Sequence, residues 1–284
     1  MSVRPDRPSI TGALRRSALI CAALVSGVLA QHAGEPGTPK PTLPTLFLIG
    51  DSTMKNGRGT GEGGLWGWGD LIGAHFNSNR VRVVNRALGG RSSRTYFAEG
   101  LWEKVLNELR PGDFVMMQFG HNDGGELFAG TRPRASLKGN GDETREGVVE
   151  QTGKREVVHS YGWYLRKYIA DAKGKGATPV VLSPVPRNIW KDGKVARAAN
   201  DYGRWAAEAA RAADAAFVDL NDIIARRYEE FGEARVRAEF FTDKDHTHTT
   251  RAGAKVNAEC VVAGVRGLTN SPLAALLAPA SREE

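Results

Sequence analysis

The sequence predicts a single α/β domain, doubly wound, with a five-stranded parallel sheet covered by helices on both faces. Two observations predict it. Short runs rich in Val, Ile and Leu recur at 46–49, 81–85, 114–119, 179–183 and 216–220, and segments of helical spacing separate them at 66–76, 101–109, 157–173, 198–213, 223–231 and 252–265. A strand that is apolar at nearly every position is buried on both faces, as in parallel sheets, and alternation with helices supplies the covering layers. A third observation bounds the size: 284 residues, 41% hydrophobic and 25% charged, suffice for one or two domains with a packed core.

Taken from the start of the chain, residues 1–30 read as a secretory signal peptide. Arg4, Arg7, Arg15 and Arg16 precede an apolar run from 18 to 30, and small Val28 and Ala30 place the expected cleavage after Ala30. The run falls short of the roughly 20 residues a comfortable membrane span needs. A secreted or periplasmic protein is expected, with no membrane attachment once the leader is removed. Residues 31–44 contain four prolines and read as a linker. The domain proper spans 45–270, and 271–284 form a C-terminal tail. The stretch 124–156, with weak periodicity and many Gly and charged residues, is far longer than an ordinary connection and is expected to border the functional cleft.

Charge and cysteine content exclude several classes. The formal charge is +7, of which the leader's four Arg against Asp6 account for +3, so about +4 remains on the rest. That is too weak and dispersed for a nucleic-acid partner. Of the two cysteines, Cys21 lies in the leader and Cys260 in an apolar helical pattern, so no internal disulfide is expected. Oligomeric state has no signal here.

Three strand ends and one further segment carry chemistry. The first apolar run ends in Gly50-Asp51-Ser52, which puts a hydroxyl at the carboxyl edge of a sheet, where open α/β folds bind ligands. The second ends in Gly89-Gly90, where a missing Cβ lets a backbone N–H approach a reacting centre. The third ends in Gly120-His121-Asn122-Asp123, and the Asn122 amide can donate to a developing oxyanion without changing protonation. The fourth, 243–248, sets Asp245 three residues before His248 at a helix entrance, so the carboxylate can hold one side of the imidazole while the other faces out as a base. Each block alone has an ordinary reading as a helix cap or turn. Two Asp and two His within 243–248 also fit part of a metal set, but no second His/Cys/Asp cluster supplies the remaining ligands, and no metal is expected. No Gly-x-Ser-x-Gly occurs, which excludes a nucleophile-elbow hydrolase.

All four blocks, in this order, resemble those of the SGNH hydrolase superfamily. The wording GDSTM, GGRSSRTY, FGHNDGG and DHTHTTRAGA is similar to the rhamnogalacturonan acetylesterase family (carbohydrate esterase family 12), as are the stretches 159–168 and 186–190. The resemblance implies a flavodoxin-like sheet and an esterase without metal or organic cofactor. It implies Ser52 as nucleophile, Asp245 and His248 as its partners, and an oxyanion hole of the Ser52 and Gly90 backbone with Asn122. It also implies an acetylated pectic polysaccharide as substrate. Arg91, Arg94, Arg187 and Arg251 are then candidates to meet galacturonate carboxylates, and Trp66, Trp68 and Trp190 to meet sugar rings, against the alternatives of surface charge and core packing. Competing expectations are an SGNH carboxylesterase acting on another acyl ester, such as acetylxylan, and a non-catalytic carbohydrate-binding protein.

Overall fold

The computed structural model describes residues 42–198 and 201–279. The expected leader with Cys21, nearly all of the linker and the end of the tail lie outside the described residues. Strand β1 is Thr45–Gly50, β2 Arg82–Asn85, and β3 Phe114–Gln118, with the short helices α1 (Ser93–Ala98) and α2 (Leu101–Glu108) between the last two. An antiparallel hairpin follows, β4 (Thr144–Val149) and β5 (Lys154–His159), then α3 (Tyr161–Gly174) and β6 (Thr178–Leu182). The small hairpin β7 (Trp190–Lys191) and β8 (Lys194–Val195) precedes α4 (Tyr202–Ala212), β9 (Ala216–Val218) and α5 (Leu220–Phe231). The one-turn α6 (Glu233–Arg235), the hairpin β10 (Phe241–Thr242) and β11 (Asp245–Thr249), and α7 (Arg251–Arg266) complete the order.

Strands β2, β1, β3, β6 and β9 form one sheet in that order, all parallel. Side chains of a strand alternate between faces, and β1 shows the consequence. Leu46 and Leu48 enter the core shared with α5 and α7, while Phe47 and Ile49 enter the core shared with α2, α3 and α4. Both faces are therefore apolar, which is why the strands read as unbroken hydrophobic runs. The chain leaves β1 toward β2 on one side and returns to β3 on the other. This is the switch point of the sheet, where its carboxyl edge opens into a crevice. Among the described residues no helix is long and apolar enough to cross a membrane.

Four expectations need correction. The segment 66–76 is not an α-helix but two 3₁₀ turns, Trp68–Asp70 and Ile72–His75. The reason is contact: a Cβ at Gly69 would lie 2.7 Å from the Met54 carbonyl oxygen, and the Trp68 and Gly69 N–H groups donate to Thr53 and Met54 instead of to their own helix. The helix expected over 157–173 begins only at Tyr161, capped by the Ser160 hydroxyl on the Trp163 N–H, because β-branched Val157 and Val158 pair across the hairpin. The stretch 124–156 is thus partly regular structure. The expected tail is packed through Ala278: Leu273 and Leu276 are buried, and Ala278 N–H donates to the His75 carbonyl oxygen.

Candidate active site

Ser52 sits in the first turn after β1, at the switch point. A buried polar chain fixes that turn. The Trp68 indole N–H donates to Gln118 Oε1 at 2.9 Å, the Gln118 amide donates to Thr53 Oγ1 at 2.7 Å, and the Thr53 hydroxyl and N–H donate to Asp51 Oδ1 at 2.7 and 2.9 Å. With every link buried, each lost bond would strand its partner, so the arrangement is rigid.

Asp245 and His248 lie at the entrance of α7, as expected, on the short strand β11 just before the Thr250 cap. Their approach is local. The N–H groups of Thr247 and His248 donate to Asp245 Oδ1 at 2.8 and 3.0 Å, which folds the chain around the carboxylate. The second oxygen, Oδ2, then meets His248 Nδ1 at 2.6 Å. Burial raises the Asp245 pKa, but the donors from His248 and Thr247 outweigh it and hold the carboxyl below its ordinary value. The opposite ring nitrogen, Nε2, lies 2.7 Å from Ser52 Oγ, across 196 positions of sequence. The 3₁₀ segment closes that distance. Trp66 N–H donates to the Thr249 carbonyl oxygen at 2.9 Å, two residues before Trp68 binds the Ser52 turn.

Gly90 follows Gly89, whose Cβ position lies 3.5 Å from Ser52 Cβ, and Asn122 bonds to the next residue, Arg91. Gly90 has φ +79, a conformation that side chains disfavour. The N–H groups of Ser52 and Gly90 have no backbone acceptor among the described residues. Asn122 is buried, and its Nδ2 donates to the Arg91 carbonyl oxygen at 2.9 Å, which orients the amide and leaves its second hydrogen available. A base with a hydroxyl within its reach is the pair that nucleophilic acyl transfer uses. Among the described residues no group of three or more His, Cys, Asp or Glu could hold a metal ion.

The residues expected to touch substrate divide differently. Arg94 is buried and forms a bidentate ion pair with Glu156, both bonds 2.8 Å, so it braces the hairpin and is not open to a ligand. Trp68 is core. Arg91 pairs with Glu99, Arg251 stands 5.6 Å above the Trp66 ring, Trp190 packs on the core in part, and Arg187 is exposed.

Asp123 carried no assigned role in the sequence. It is buried and accepts from the Ser93 N–H, the Ser93 hydroxyl and the Ser136 hydroxyl, tying the Asn122 turn to α1 and to the 124–156 insertion. Burial outweighs these donors and the carboxyl pKa rises to about 7. The folded state therefore holds this proton more tightly than the unfolded chain. Its contribution to stability is fully present below the ordinary carboxylate pKa and is lost as pH rises through about 7. The difference in unfolding free energy between wild type and Asp123→Asn should change by a few kcal/mol, on the order the shift implies, between about pH 4 and pH 7. Denaturant melts across that range check it, and parallel curves would contradict it.

The chain matches the model of the GDSL-like lipase/acylhydrolase family over residues 48–256. It is 34% identical to a rhamnogalacturonan acetylesterase of Emericella nidulans, over 80% of this chain and 86% of that one. It is 31% identical to a probable rhamnogalacturonan acetylesterase of Bacillus subtilis, over 78% of this chain and 93% of the relative. Among solved structures, a Bacillus subtilis protein, YxiM, superposes with a TM-score of 0.62 at 24% identity, over 79% of this chain and 56% of that one. An acetylxylan esterase of Geobacillus stearothermophilus superposes with a TM-score of 0.53 at 19% identity, over 80% and 95%. Likenesses at this level of identity speak to the fold.

Proposed function

We propose that this chain, which belongs to the GDSL-like lipase/acylhydrolase family and is a carboxylic ester hydrolase, removes O-acetyl groups from a pectic polysaccharide of the rhamnogalacturonan type. The observation that carries the reading is the hydrogen-bonded line from Asp245 through His248 to Ser52, opening beside Gly90 and Asn122.

The chemistry follows from that line. His248 Nε2 takes the Ser52 proton as Oγ attacks the acetyl carbonyl carbon. Asp245 keeps the other proton on Nδ1 and stabilises the imidazolium that forms. Negative charge on the carbonyl oxygen is met by the N–H groups of Ser52 and Gly90 and by the Asn122 amide, donors fixed before the reaction and therefore without reorganisation cost. Collapse breaks the bond to the sugar oxygen, which leaves as a hydroxyl by taking the proton from His248. Water, deprotonated by the same nitrogen, then releases acetate from Ser52. The residues supply every proton transfer in this cycle.

Substrate choice is supported by the two relatives named for rhamnogalacturonan and by the basic wall beside Gly90. A polymer of that size stays outside the cytoplasm, so the reading also calls for export, which the basic-then-apolar N-terminus supports. Acetate release per acetyl group should be at least about tenfold faster from acetylated rhamnogalacturonan than from acetylated xylan, the range that one charged contact provides. Equal rates, or faster release from xylan, would contradict the pectic assignment while leaving the esterase.

A further inference from the structure

In the 124–156 insertion, two neighbouring guanidinium groups form no ion pair among the described residues. Arg132 and Arg134, on either side of Pro133, converge on Gly90. Arg134 Nη1 donates to the Gly90 carbonyl oxygen at 3.1 Å, and Arg132 Nη2 lies 2.5 Å from where a Cβ on Gly90 would stand. Gly89, one residue earlier, is against Ser52, with its Cβ position 3.5 Å from Ser52 Cβ. The pair is thus beside the proposed oxyanion hole.

Two guanidiniums that close repel each other, and burial together with Arg132 lowers the pKa of Arg134. Three nearby arginines are matched: Arg91 with Glu99, Arg94 with Glu156, and Arg155 with Glu146. Neither Arg132 nor Arg134 forms such an ion pair among the described residues. A cavity of about 570 Å³ runs from this pair along α1 to the β4–β5 hairpin, within the roughly 300–1,000 Å³ of small-molecule sites. Its wall is braced. Arg94 donates to the Leu127 and Ala135 carbonyl oxygens at 2.6 and 2.9 Å, and Ser136 is bound to Asp123 through both its N–H and its hydroxyl. Unmatched charge on a fixed loop, in a cavity that reaches Gly90, is complementary to an anion. The planar fork of a guanidinium suits a carboxylate better than a diffuse charge.

We propose that Arg132 and Arg134 form a subsite for the carboxylate of an acidic sugar adjoining the acetylated one. The proposal rests on the reading of the Ser52 site as a pectic acetylesterase and assigns its choice of acidic over neutral polymers to these two side chains.

The test compares acetylated rhamnogalacturonan oligosaccharides with the same oligosaccharides after reduction of their carboxyl groups. Wild type should favour the acidic form by about tenfold or more in kcat/KM, mainly through KM, and less so at high salt. That ratio should fall toward one in the Arg132→Gln/Arg134→Gln double variant, while Arg132→Lys keeps most of it. Calorimetric binding of digalacturonate to the whole enzyme gives a readout independent of turnover, and its Kd should rise about tenfold or more in the double variant. A ratio and a Kd that the double substitution leaves unchanged would overturn the proposal. Wild type that binds digalacturonate through these arginines but releases no acetate from rhamnogalacturonan would overturn the pectic reading and support the subsite.

Discussion

Ser52→Ala is expected to lower kcat for ester hydrolysis by about 10⁶-fold, the size of effect seen when the nucleophile of a serine hydrolase is removed. Oγ is the atom that would carry the acetyl group, and among the described residues no second hydroxyl bonds to the His248 ring. The donors at Gly90 and Asn122 remain in the variant, so hydrolysis should still exceed the uncatalysed rate by about 10³–10⁴. Ser52 is only part-buried and among the described residues its hydroxyl bonds only to His248, so the thermal midpoint should shift little. Rates on p-nitrophenyl acetate, read with the melting curve, check both halves. A variant that retains more than about one per cent of the activity would contradict nucleophilic attack by this residue.

Asp245→Asn should lower kcat by about 10⁴-fold, and the geometry says why. Two N–H donors, from Thr247 and His248, point at Asp245 Oδ1. An amide nitrogen cannot take that position, so it must occupy the position of Oδ2, 2.6 Å from His248 Nδ1. There it donates, which forces the imidazole proton onto Nε2, the nitrogen that must accept from Ser52. The ring stays in place but carries the wrong tautomer. The variant should therefore fold normally and keep KM within a few fold while losing turnover. A loss below about 100-fold would mean that Asp245 does not set the tautomer.

Much of this was legible from local pattern. Five apolar runs between helical segments give the sheet because parallel strands are buried on both faces, and the order of β1, β2 and β3 puts Ser52 and Asn122 at one edge. Asp245 and His248 are close enough in sequence that a three-residue spacing anticipates their contact. What escaped the sequence depends on distant partners. Residues 66–76 have helical spacing but pack glycine against the Met54 backbone, a contact invisible without the fold. Arg94 stands next to a motif like any surface arginine, yet a glutamate 62 positions away claims it. Asp123 has no role to read until Ser93 and Ser136 are seen to donate to it. The Arg-Pro-Arg pair at 132–134 had one available signal, two like charges held close by a proline, but only the placement of Gly90 gives it meaning.

Covalent trapping isolates the cooperation of Ser52 with His248. Treatment with an organophosphate ester, followed by peptide mass spectrometry, should give a single adduct, on the peptide that contains Ser52, at a rate that collapses in His248→Ala. An adduct on another residue, or modification of Ser52 at an equal rate without the imidazole, would show that the 2.7 Å approach between these groups has no chemical consequence.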